Sequence, residues 1–86
     1  MKKTELYRHL IETASKLGIR VSEQNLRATN VNAKSGLCQV KGEFVFIMDK
    51  HLLLSEKIAI LSECLKSMHL DDIYIVPAVR DHINRE

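Results

Sequence analysis

Five consecutive apolar residues, Phe44-Val45-Phe46-Ile47-Met48, follow closely on Gly42. Side chains alternate between the two faces of a strand, so a strand without a polar position has both faces to cover. Such a segment belongs at the centre of a sheet, or needs a partner over one face. It reads as the second arm of a hairpin, Leu37 to Lys41 and Glu43 to Met48. Gly42 supplies the positive φ of a tight connection. Two registers fit. A two-residue turn sets Cys38 opposite Val45, and a bulged turn sets it opposite Phe44.

Helical patterns flank the hairpin. Leu6, Leu10, Ala14 and Leu17 share one face of a helix expected over about Thr4 to Leu17, with Tyr7 at its edge. Glu5, Arg8, His9, Glu12 and Lys16 take the solvent side. Thr4 is the expected N-cap, and Gly18 the left-handed residue that ends the helix. Ile19-Arg20-Val21-Ser22 alternates as a short strand. The polar residues 23–35 read as a loop or a weak edge strand around Leu26, long for so small a domain.

The second helix is expected from Ser55 as N-cap, with Glu56 in its first turn. Leu54, Ile58, Leu61, Leu65 and Met68 form its apolar stripe. Ile60 and Cys64 widen the stripe on one side, where a further element or partner has room to pack. Glu63 points away. After Asp71-Asp72, Ile73 to Val76 is extended, and Pro77 opens a short helix that buries Val79 and Ile83. The expected fold is α+β in a single domain over residues 1–86. Its order is an N-terminal helix, a small three-stranded mostly antiparallel sheet, a second helix and a short C-terminal helix.

Composition narrows the function. Apolar residues make up 45% and charged residues 28%, which suits a globular chain rather than a disordered one. Net charge is +2, too small to point to nucleic acid. It is unevenly spread: residues 1–50 hold nine Lys/Arg against five Asp/Glu, and residues 51–86 hold four against six. No apolar run approaches membrane-spanning length. Cys38 and Cys64 form no C-x-x-C pair and read as free thiols of a reduced, cytoplasmic protein. His9, His51, His69 and His82 are scattered, and His69 is placed to complement a helix C-terminus. With only Gly18, Gly36 and Gly42, no phosphate-cradling loop exists. Ser62 and Lys66 stand one turn apart, but no Gly-rich oxyanion loop lies nearby to make them a nucleophilic dyad.

Two resemblances attach to particular residues. Gly36-Leu37-Cys38-x-Val40-x-Gly42, Asp49-Lys50 and Leu70-x-x-Ile73-Tyr74-x-x-Pro77-x-Val79-Arg80 resemble a set of short uncharacterised bacterial proteins, over nearly the whole chain. That likeness implies no activity. More distantly, Leu17-Gly18-Ile19-Arg20-Val21 and Phe46-Ile47-Met48-Asp49 are similar to the ImmA/IrrE-type zinc metallopeptidase domain. There a helix leads into a small antiparallel sheet and then a helix bearing His-Glu-x-x-His. The resemblance implies that Glu63 matches the general base, while Ser62 and Lys66 replace both zinc ligands. An ammonium group is a poor neighbour for a divalent cation, so the resemblance carries a fold without its metal.

The sequence therefore points to a non-catalytic bacterial interaction module that associates with itself, needing no cofactor or metal. The expected partner is a second copy, with another protein as the other occupant and no role for membrane. The expected interface comprises Phe44, Phe46, Met48, Ile60 and Cys64. The alternatives are a degenerate metallopeptidase-like enzyme and a small nucleic-acid-associated regulator. A competing account covers the second face of the sheet with Ile73 to Ile83 and leaves a monomer.

Overall fold

The structure, a computed structural model, describes residues 1–26 and 35–85. They form an α+β fold of three helices and a three-stranded sheet. In chain order these are α1 (Lys3–Lys16), β1 (Ile19–Gln24), β2 (Gly36–Val40), β3 (Glu43–Asp49), α2 (Leu54–Lys66) and α3 (Pro77–Arg85). Most of the expected long polar connection falls at 27–34, outside the described residues.

The sheet order is β1-β3-β2, so the all-apolar strand is central, the first of the two expected placements. The hairpin turn has two residues. Lys41 and Gly42 both take positive φ, 51° and 82°, and Cys38 lies opposite Val45. Two successive left-handed residues give a turn whose twist matches that of the flanking strands. The bulged register is thereby excluded.

The sheet is more mixed than expected. β2 pairs antiparallel with β3, but β1 runs parallel to it. The reason lies in strand order. β1 does not neighbour β2; β3 lies between them, with the end of β1 and the start of β2 both at its Asp49 end. Asp49 closes that end, its N–H donating to Ser35 Oγ at 2.9 Å, while Lys50 N–H donates to the Gln24 carbonyl at 3.0 Å. The same pairing extends β1 two residues beyond the expected Ser22.

The helix starts also differ. α1 begins one residue early, with Lys2 at the N-cap position and no side-chain cap; Leu6 N–H donates to the Lys2 carbonyl. Thr4 is thus inside the first turn. α2 begins at Leu54 rather than after Ser55. Leu53 occupies the N-cap, and its N–H donates to Glu56 Oε1 at 3.1 Å, which serves that end from within the helix. Gly18 takes φ 80° after α1, as expected.

One core joins the layers. Leu10 and Ala14 of α1, Phe46 and Met48 of β3, Leu61 and Leu65 of α2, and Ile75, Val79 and Ile83 near the C-terminus form a single buried cluster. α3 packs on α1 and α2. Lys16 Nζ donates to the Tyr74 carbonyl, and Arg80 Nη2 to the carbonyls of Leu70 and Ile73, which fastens the segment before α3. The C-terminal segment thus joins the helix side of the sheet. It does not make the cover over the opposite face that the monomer account requires. On that opposite face Val45 is buried outside the main cluster, as is Leu26.

Candidate functional site

Each outer strand of the sheet lies beside a shallow depression, and the two differ in chemistry. Beside β1 a space of about 380 Å³ is lined by Ile11, Ser15, Gly18 to Val21. Its strand carries Arg20 and Glu23, charges that commonly protect a sheet edge from pairing. Beside β2 a groove of about 420 Å³ runs between Ser35-Gly36-Leu37 and the flank of α2, with Phe46 and Met68 below. Ile60, Glu63, Cys64 and Ser67 form its helical wall. β2 has no charged residue and no proline. Its Leu37 and Val40 are 39% and 48% exposed, and neighbouring Phe44 is 47% exposed.

The structure brings together part of the expected interface. Phe46, Ile60 and Cys64 line one groove, and Ile60 and Cys64 are half-buried. Phe44 stands nearer the hairpin turn, in register with Gln39 and Ile19. Met48 is fully buried and Phe46 is 2% exposed, so these two side chains serve the core and are not free to meet a partner. The apolar pattern of β3 did not distinguish its inward residues from Phe44. β2 lies beside this groove but outside the expected interface. Its signal was there to find: a whole outer strand, Gly36 to Val40, without a charge.

The positions matched to the zinc motif do not converge. Ser62 is fully buried, and its Oγ meets no hydrogen-bond partner among the described residues. Glu63 and Lys66 are exposed. A zinc site needs side chains aimed at one point, with both motif ligands on one helix face. Among the described residues no three His, Cys, Asp or Glu side chains lie close enough to hold a metal. These residues do not fit zinc. Burial also pushes the Cys64 thiol above its ordinary value, which disfavours the thiolate that a nucleophile or metal ligand needs. The histidines do not gather either. His9 is half-buried rather than on the solvent side, 3.7 Å from Glu12, while exposed His69 lies 3.9 Å from Asp72.

A polar cluster sits where α1, β1 and α2 meet. Tyr7 donates to Glu23 Oε2 at 2.9 Å, and Lys57 Nζ to Glu23 Oε1 at 2.7 Å. The Lys57 ammonium also lies 6.0 Å from the Tyr7 ring centre. Burial, then the Glu23 hydrogen bond and charge, push the Tyr7 phenol up. For Glu23, burial opposes ionisation, but the hydrogen bonds from Lys57 and Tyr7 and the Lys57 charge outweigh it and hold the carboxyl below its ordinary 4.5. A lowered carboxyl stabilises the fold fully above the unfolded value and loses that contribution as pH falls through the folded one. The parent should therefore lose more stability than Glu23→Gln between pH 5 and pH 3. Denaturant midpoints for both chains across this range check it. Parallel acid profiles would remove Glu23 from the account. The cluster ties three elements together and opens onto neither depression, so we read it as structural.

No helix among the described residues is long and apolar enough to cross a membrane. No family model, curated protein or solved structure matches the chain.

Proposed function

We propose that the protein is a non-catalytic, self-associating interaction module of the bacterial cytoplasm. The observation that carries this reading is the β2 flank: an uncharged outer strand with exposed apolar side chains beside a mostly apolar groove that Glu63 borders. A sheet edge of that kind is a ready template for another chain, and proteins that do not use such an edge normally blunt it. The divergent placement of Ser62, Glu63 and Lys66 speaks against an enzyme descended from the zinc domain.

Light scattering tests the reading directly. The expected mass is twice the 9.9 kDa of the chain over a wide concentration range. Ile60→Asp, on the groove wall, should shift it toward one chain while leaving helical circular dichroism intact. Elemental analysis of the same preparation should show far less than one zinc per chain. A monomer at high concentration would sink self-association, and one equivalent of zinc retained through dialysis would revive the enzyme alternative.

A further inference from the structure

We propose that self-association runs through β2, with two copies pairing their Gly36–Val40 strands antiparallel about a two-fold axis at Cys38. The two sheets then become one continuous sheet. This rests on the self-association reading and assigns it a specific interface.

The tight turn fixes which backbone groups are available. A two-residue hairpin closes on a hydrogen-bonded pair, here Val40 and Glu43. Hydrogen-bonded and non-hydrogen-bonded pairs alternate from there, so Cys38 and Gly36 also bond to β3. The N–H and C=O groups of Leu37 and Gln39 therefore point away from β3, on the side of β2 where no strand lies among the described residues. Arranged about Cys38, these groups are self-complementary. Antiparallel apposition sets Leu37 opposite the second copy's Gln39, and Gln39 opposite its Leu37, each exchanging two hydrogen bonds.

The side chains suit the same axis. Val40 falls opposite the second copy's Gly36, where no side chain competes for space. No charge on β2 is brought against its like. On the helix side the two Leu37 side chains become diagonal neighbours, and the groove along Ile60 and Cys64 continues the contact. The β1 edge, carrying Arg20 and Glu23, would gain none of this. Symmetry about a single uncharged residue is what favours a second copy over a foreign extended peptide.

At the axis the two Cys38 residues form a non-hydrogen-bonded pair. Its Cα separation is about 4.5 Å, inside the span of about 4.4–6.8 Å that a disulfide bridges. Cys38 is exposed in the single chain. Oxidation by copper–phenanthroline, which takes up the two electrons, should therefore crosslink the full chain. The crosslink should persist in Cys64→Ser and vanish in Cys38→Ser. Gln39→Pro removes only an outward N–H, a position where an edge strand tolerates proline. It should halve the scattering mass with helical circular dichroism retained. A dimer that crosslinks only through Cys64, or that ignores Gln39→Pro, would overturn the β2 pairing and leave self-association standing. A monomer at high concentration would overturn both. Should Gln39→Pro lose its fold, the Cys38 crosslink decides alone: its absence from a dimer overturns the pairing.

Discussion

Phe46→Ala should lower the free energy of unfolding by about 3–5 kcal/mol, the range for removing a fully buried aromatic ring. Phe46 is 2% exposed at the centre of the middle strand, within the cluster that joins α1, α2 and the C-terminal segment. Removing the ring takes a large side chain out of that buried cluster. A domain of this size has a total stability of about 5–15 kcal/mol, so the change takes a large share. Denaturant melts of parent and variant measure it. A loss below about 1 kcal/mol would mean that the helices do not seal this face.

Val79→Asp should abolish the cooperative unfolding transition, and Ile83→Ala should cost about 2–5 kcal/mol. Both side chains are fully buried where α3 meets α1 and α2. α3 has nine residues, short of the roughly 12–15 that hold a helix in water by themselves. Its order therefore comes from packing, and a carboxylate at Val79 would enter the core without a partner. Far-UV circular dichroism with urea titration separates the outcomes. If Val79→Asp melts like the parent, α3 is a detachable appendage and the core closes without it.

Much of the architecture is legible along the chain because its causes are local. The stripe of Leu6, Leu10, Ala14 and Leu17 has helical period, and Gly18 ends it by adopting a φ that other residues resist. The apolar run from Phe44 to Met48 called for a central strand or a partner over one face, and it lies at the centre of the sheet. Pro77 opened α3, with Val79 and Ile83 buried as their spacing implied. The helix starts were less legible. Lys2 and Leu53 carry no capping side chain, and the first turns are served by backbone and by Glu56.

The candidate site was only half legible, for a physical reason. Ile60 and Cys64 stood out as an over-wide apolar arc on one helix. Their neighbour across the groove, β2, gave no periodic signal, because an outer strand with exposed residues on both faces has no buried side to alternate with. Likewise a serine at position 62 gives no apolar signal, yet its side chain is fully buried.

By itself the sequence determined the elements, the central place of β3 and the inward face of each helix, since these follow from propensity and period. Only the tertiary structure decided that β1 runs parallel to β3, that the C-terminal segment packs on the helix side, and that β2 is an uncharged outer strand among the described residues. Those choices depend on which strands become neighbours across a long connection. No residue carries that information locally; it emerges when one core forms and fixes what remains outside it.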